Sequence, residues 1–167
     1  TIIEDLYSSM ETQFAQGFTV LQKKFEKIFS VLFEGGKAQL NYSDPNHVLE
    51  SGIELAVQPP GKNLQHISLL SGGEKSMTVI ALFFAFLEIN PSPFCVIDEI
   101  DAALDDHNIF RFTNYLKRIS DVNQFIIITH RRITLEVCES IYGVSMAKSG
   151  VSKLVSIRLE DYTEPTA

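Results

Sequence analysis

Ser71-Gly72-Gly73-Glu74 opens a long apolar segment, and about one helix later the run Phe94-Cys95-Val96-Ile97 ends in Asp98-Glu99. A serine followed by two glycines at a helix start can grip an anion. Without Cβ atoms, the backbone amides and the positive helix end lie open to a phosphate. Ser71 with Glu74 three residues on also reads as a capping box that merely starts a helix. A capping box, however, does not require two glycines that lower helix propensity. At the end of an apolar strand, Asp98 can hold Mg²⁺, because hard cations prefer oxygen ligands. Glu99 can then accept or direct the proton of an attacking water. Acids after a strand also cap helices or solvate loops. Here, though, Asp98-Glu99-Ile100-Asp101 puts three acids within four residues, and these repel one another unless a cation is near. His130 follows a second apolar strand, Ile126-Ile127-Ile128, and on the same sheet edge it can donate a hydrogen bond to a phosphate oxygen. A lone histidine is otherwise structural. Asp105, after Ala102-Ala103-Leu104, reads equally as a helix cap or a functional group. His47, His66 and His107 show no partner pattern.

One piece of a nucleotide hydrolase is missing. A phosphate-cradling loop needs G-x-x-x-x-G-K followed by Ser or Thr. Gly36-Lys37 runs into Ala38, Gly61-Lys62 into Asn63, and Lys75-Ser76 follows Glu74. The chain lacks the main grip on nucleotide phosphates.

The elements that must carry these residues follow from periodicity. Apolar positions Ile3, Leu6, Met10, Phe14, Phe18, Leu21, Phe25, Ile28 and Leu32 step by three and four, which predicts one amphipathic helix over 1–33. The stripe fits an ordinary surface helix, but it is longer than one small core needs, which favours a coiled-coil stub. Gly35-Gly36 breaks it. Strands are expected at 37–43 and 51–58, joined by a turn at Ser43-Asp44-Pro45-Asn46. Beyond Pro59-Pro60-Gly61 the pattern alternates. It gives a helix from 73 to 89, a strand 93–97, a helix 107–120, a strand 124–128, a short helix 131–139, and strands near 141–147 and 152–159. Strands apolar throughout predict an α/β fold whose mostly parallel central sheet is covered by helices on both faces. The domain reading is an arm stub 1–33, a globular lobe 34–160 and a disordered tail 161–167.

Composition narrows the class. The chain has 167 residues, enough for one domain with a sizeable core, with 45% hydrophobic and 21% charged residues. Its formal net charge of −7 argues against a generally basic, nucleic-acid-coating surface. The runs Lys23-Lys24 and Arg131-Arg132 read as solvated helix faces. Cys95 and Cys138 form neither a disulfide framework nor a zinc pattern, as expected in a reducing cytosol. The first residues carry acids rather than a signal-peptide pattern. The longest apolar run, Val79 to Leu87, is far short of a membrane span.

The ordered motifs Leu70-Ser71-Gly72-Gly73-Glu74, Phe94-Cys95-Val96-Ile97-Asp98-Glu99, Ala103-Leu104-Asp105 and Ile128-Thr129-His130 resemble the C-terminal half of an ATP-binding-cassette ATPase head. More closely, the chain resembles the C-terminal head lobe of a prokaryotic SMC (structural maintenance of chromosomes) protein. Glu74, where transporter signatures carry glutamine, supports SMC. So do Phe33-Glu34-Gly35-Gly36, Gln58-Pro59-Pro60-Gly61-Lys62, Tyr142-Gly143-Val144-Ser145-Met146 and Gly150 to Ser156. The resemblance runs from about residue 20 to 160. It implies composite sites in which two heads sandwich two ATP molecules. Ser71, Gly72 and Gly73 would contact the γ-phosphate of ATP held by the opposite head. Asp98 would serve Mg²⁺, Glu99 would be the catalytic carboxylate, Asp105 the residue crossing the head–head interface, and His130 the switch histidine.

Implied partners are an N-terminal head lobe carrying the Walker A loop, a second head, and a kleisin subunit's winged-helix domain. DNA would be engaged through the whole complex, in the cytoplasm at the nucleoid, with no membrane partner. The implied function is ATP-dependent head engagement and hydrolysis in chromosome condensation and segregation, with the isolated chain inactive. The alternatives are a non-catalytic docking lobe and the head of a DNA-repair relative.

Overall fold

The computed structural model describes residues 2–146 and 150–158. The expected tail therefore lies outside the described residues. Helix α1 (Ile2–Leu32) runs through Gly17 without interruption. Its second half buries Phe18, Leu21, Phe25, Ile28, Phe29 and Leu32, whereas Ile2, Ile3, Leu6, Tyr7, Met10 and Phe14 of the same stripe are exposed. The helix thus carries more apolar face than this chain covers.

Strands β1 (Lys37–Tyr42) and β2 (Ile53–Gln58) pair antiparallel from Lys37↔Gln58 to Tyr42↔Ile53. A two-residue strand, β3 (Gln65–His66), extends that sheet and leads into a 3-10 turn, Ile67–Leu69. Helix α2 (Gly72–Ile89) follows, then β4 (Phe94–Asp98), α3 (Asp106–Ile119), β5 (Gln124–Ile128) and the single turn α4 (Arg132–Leu135). Strands β6 (Ser140–Met146) and β7 (Ser152–Arg158) form an antiparallel ribbon.

The mostly parallel central sheet expected from the sequence is not found. The described strands form three separate sheets, mainly antiparallel, and only β4 and β5 pair parallel, from Phe94↔Gln124 to Asp98↔Ile128. The reason lies in the connections. A parallel pair needs a crossover of a dozen or more residues, and α3 supplies one only between β4 and β5. Between β5 and β6 lies only the four-residue α4. Nor is the parallel pair covered on both faces: Phe94, Val96, Ile126 and Ile128 are each about half exposed.

The core forms where α2 meets α1 and α3. Phe84 of α2 is fully buried, stacking on Phe112 and Tyr115 of α3 with ring centroids 5.9 and 5.0 Å away. Phe25 and Phe29 of α1 and Met77 and Ile80 of α2 fill the other side. Each such side chain contributes roughly 1.5–3 kcal/mol by leaving water. Helix α1 and strand β1 are also joined by aromatic stacking of Phe18 on Tyr42, with centroids 4.1 Å apart.

Where α1 ends, Glu34, Gly35 and Gly36 all adopt positive φ, at 55°, 130° and 84°. A Cβ on Gly36 would stand 2.3 Å from the Gln58 carbonyl oxygen and 3.3 Å from the Phe29 ring. Gly36→Ala is therefore expected to cost more than about 1 kcal/mol. An unchanged thermal midpoint would show that this turn has room to relax.

A polar tie crosses the core edge. Glu88 of α2 accepts from Lys24 Nζ of α1 at 2.7 Å and from the Tyr115 hydroxyl of α3. Partial burial is the largest single influence on Glu88 and opposes its ionisation. The Lys24 and Tyr115 hydrogen bonds and the Lys24 charge together outweigh it, holding the carboxyl below its ordinary range. Burial first, and then Glu88 itself, raises the Tyr115 hydroxyl. With the folded value of Glu88 below the unfolded one, the tie is at full strength above about pH 4.3. It is lost as pH falls through the folded value. In a thermal-midpoint series from about pH 6 to pH 3, Glu88→Gln should flatten the acid limb. An acid limb unchanged by the substitution would remove Glu88 from that role.

Candidate active site

Parallel pairing of β4 and β5 brings two loop starts to one sheet edge. Asp98 faces Ile128 in register, so Glu99 and the Thr129-His130 step leave the sheet side by side. The Glu99 amide donates to the Ile128 carbonyl at 2.9 Å. Glu99 has φ of 44°, a left-handed conformation that costs a non-glycine residue. The strand end pins it there. Its Oε1 lies 3.8 Å from His130 Nδ1, longer than a direct hydrogen bond, and both side chains are exposed.

Asp98 is exposed at the strand terminus, and its carboxylate makes no hydrogen bond or ion pair among the described residues. No group of three or more metal-ligating side chains occurs among those residues. A free, outward carboxylate suits a cation that takes its other oxygen ligands from a bound nucleotide and water. A closed protein cage for a metal is not built here.

The three acids expected to crowd one another are separated. Asp101 turns inward and is buried, where it accepts from two threonine hydroxyls. Asp98 and Glu99 face out.

Ser71 is the N-cap of α2, and the capping box with Glu74 is complete. Its hydroxyl donates to Glu74 Oε2 at 2.8 Å, and its amide reaches the same oxygen at 3.1 Å. Lys62, from the loop after β2, grips both Glu74 oxygens at 2.8 and 3.0 Å. The Lys62 hydrogen bond above all, with those from Ser71, holds the Glu74 carboxyl below its ordinary range against partial burial. Gly72 and Gly73 differ in what they face. A Cβ on Gly73 would lie 3.5 Å from the Ala103 carbonyl oxygen, whereas one on Gly72 would meet nothing within 4 Å. Packing within this chain does not demand Gly72, and its open side is the one an external anion can approach.

Asp105 caps α3, accepting from the Asn108 amide at 2.8 Å and from Asn108 Nδ2 at 3.1 Å. The loop it closes lies beside Gly73. The singled-out residues therefore fall into two groups: Asp98, Glu99 and His130 at the sheet edge, and Ser71, Gly72 and Gly73 against the Ala103–Asp105 loop. No hydrogen bond among the described residues joins Ser71 to Asp98, Glu99 or His130.

Sequence reasoning missed Lys62, Asp101 and Arg131 as parts of this neighbourhood. For Lys62 a signal existed, since a lysine after Pro-Pro-Gly stands in a loop that must return to α2. Nothing local marks Asp101, whose partners Thr129 and Thr134 are 28 and 33 residues away.

Comparison with known proteins decides the family. Residues 9–153 match the family model described as the RecF/RecN/SMC N terminal domain. The chain belongs to this family and is part of an SMC head. It is 49% identical over 163 residues to the chromosome partition protein Smc of Bacillus subtilis (strain 168), and 47% identical over 165 residues to that of Desulfitobacterium hafniense (strain Y51). These alignments take in 98% and 99% of this chain but 14% of each relative, so the chain spans about one-seventh of their length.

Among solved structures, the Smc head domain of Pyrococcus furiosus, with an extended coiled coil and bound to the C-terminal domain of ScpA, superposes with a TM-score of 0.85. That match has 38% identity and covers 95% of this chain and 40% of that one. The SMC head domain of Thermotoga maritima gives 0.66 at 40% identity, covering 83% of this chain and 48% of that one. A chain described under ATP-driven dimerization and DNA-stimulated activation of SMC ATPases gives 0.82 at 40% identity, with 89% and 90% covered.

Proposed function

We propose that this chain is the C-terminal lobe of an SMC ATPase head. In this reading it supplies the signature turn, the Walker B strand, the interface loop and the switch histidine for ATP-dependent head engagement and hydrolysis. The observation that carries the proposal is the outward Asp98-Glu99 pair beside His130, in a chain without a phosphate-cradling lysine loop. The C-terminal assignment draws support from that missing loop, and the half-head reading from coverage of 48% of the Thermotoga maritima head. The apolar stripe left exposed on the first half of α1 supports the coiled-coil stub. The half-exposed β4/β5 face suits the N-terminal lobe that carries Walker A.

The chemistry is phosphoryl transfer to water, where positioning and electrostatics supply most of the catalysis. Glu99 orients the attacking water and takes its proton. Asp98 would hold Mg²⁺, which when bound would supply positive charge against the charge that develops on the phosphate. His130 donates a hydrogen bond to the γ-phosphate held by the same head. The amides of Gly72 and Gly73 and the Ser71 hydroxyl meet the γ-phosphate held by the opposite head, with Asp105 at the interface between heads. Two faces of one lobe then serve two different ATP molecules. This explains why Ser71 and Glu99 need not touch within a chain.

ATP bridges the heads, so nucleotide binding and dimerisation are linked. The kleisin winged-helix domain docks on the lobe, by analogy with the head of known structure bound to the C-winged helix domain of ScpA. DNA is engaged by the whole complex, in keeping with the net charge of −7 on this part. Among the described residues no helix is long and apolar enough to cross a membrane. The cellular role is chromosome condensation and segregation in the cytoplasm, at the nucleoid.

The lobe assignment is tested by mixing the chain with a Walker A-bearing N-terminal SMC lobe and following the complex by sizing and by ATP-binding calorimetry. A stable one-to-one complex that binds ATP, when this chain alone does not, is the expected result. ATP binding by this chain alone would contradict it.

A further inference from the structure

Asp101 is 1% exposed, and no ion pair among the described residues reaches it. A buried carboxylate is costly unless well hydrogen-bonded, and this one is held by the loop after β5 and by α4, which follows it. Its Oδ2 accepts from Thr129 Oγ1 at 2.7 Å and from Thr134 Oγ1. Thr129 in turn accepts from the Arg131 amide at 3.0 Å, so its hydroxyl both donates and accepts across His130. Arg131 then reaches back the other way. Its guanidinium donates to the Leu104 carbonyl at 3.3 Å and to Asp106 Oδ1 at 2.8 Å, the residues on either side of Asp105.

The exchange is reciprocal. A carboxylate from the loop after β4 grips the loop after β5, and a guanidinium from the second loop grips the first. The Asp101 bonds are buried and charge-assisted, the stronger kind, whereas the Arg131–Asp106 pair is at the surface, with Asp106 largely exposed, and adds less. His130 and Asp105, neither of which packs into the core, sit in the middle of the two braced segments.

We propose that Asp101 and Arg131 are positioning residues that lock the histidine loop to the interface loop, so that His130 and Asp105 move as one body. They act on hydrolysis through those residues and touch no substrate themselves. The proposal rests on the reading of this chain as half of an ATPase head.

The test uses the complex with the Walker A-bearing lobe and compares Asp101→Asn, Thr134→Val and Thr134→Ser. Amide exchange and ATP kinetics are measured on the same samples. Thr134→Val keeps shape and removes one donor, which protects the test if Asp101→Asn folds poorly. With either variant, exchange should rise roughly tenfold in residues 102–106 and 129–135 together, the loss expected of one hydrogen bond to a charged group. The kcat for ATP should fall by a similar factor while KM stays within about twofold. Thr134→Ser, which restores the hydroxyl, should recover both.

Exchange that rises in only one loop would overturn the brace. Altered exchange with unchanged kcat would overturn its positioning role, as would a kcat that falls only with the folded fraction. A wild-type complex without any turnover would instead defeat the ATPase reading, while the exchange data would still decide whether the loops are braced.

Discussion

Glu99→Gln should cut ATP turnover by the assembled head by about 10²- to 10⁴-fold, the usual contribution of a general base. ATP-bound dimers should accumulate at the same time. The amide keeps the size and outward direction of the side chain but cannot accept the proton of the attacking water. Asp98 is untouched, and so are the hydrogen bond from the residue 99 backbone N–H to the Ile128 carbonyl and the strained φ of 44° that aims the side chain. Binding and engagement should therefore persist while chemistry stops. Because the side chain is exposed and its one close partner, His130, is 3.8 Å away, the fold should be indifferent to the change. Turnover at the wild-type rate would return Glu99 to the role of a solvated loop acid.

Ser71→Arg should abolish ATP-dependent dimerisation, weakening it by at least about 100-fold, yet leave ATP binding by each head largely intact. Ser71 is exposed at the start of α2; among the described residues its hydroxyl and amide bond Glu74, and its carbonyl accepts from the Lys75 amide at 2.9 Å. The long cationic side chain needs no room in the core. Losing the cap costs about 1 kcal/mol locally, and Ser71→Ala, which removes the hydroxyl without adding bulk, separates loss of the hydroxyl from the steric effect. The remainder comes from a bulky group placed where a neighbour's γ-phosphate must meet bare amides. Scattering or sizing that still finds full dimerisation would remove Ser71 from that contact.

Much of this was legible in the sequence, for local reasons. The apolar stripe of α1, the capping box at Ser71 and the strand ends at Asp98 and Ile128 all fall within a residue or two of their expected places. Parallel pairing of the two apolar strands also followed, because a helix lies between them. The covering of those strands was misread for a physical reason. Phe94, Val96, Ile126 and Ile128 look like residues buried on both faces, and within this chain they are half exposed. Hydrophobic runs report that a face will be covered, not which segment covers it. The antiparallel β1/β2 pair agrees with the turn expected between those strands, whereas the antiparallel β6/β7 ribbon was not anticipated, although its connection is too short for a crossover.

Within the site, residue types and spacing pointed to Asp98, Glu99, His130 and Ser71. Partners set by folding alone were hidden. Asp101 looked like a third acid in a repelling cluster, and only the return of β5 brings Thr129 and Thr134 to neutralise that cost. Gln65-His66 is too short and too polar to announce a strand. Its pairing with β2 follows from where the chain must turn to reach α2.

The most direct measurement is steady-state ATP turnover by this chain mixed with a Walker A-bearing N-terminal SMC lobe, against each lobe alone. The half-head reading predicts turnover in the mixture only, lost when this chain carries Glu99→Gln. A mixture that assembles yet stays inert would contradict it, leaving a docking lobe whose acids after Ile97 are structural.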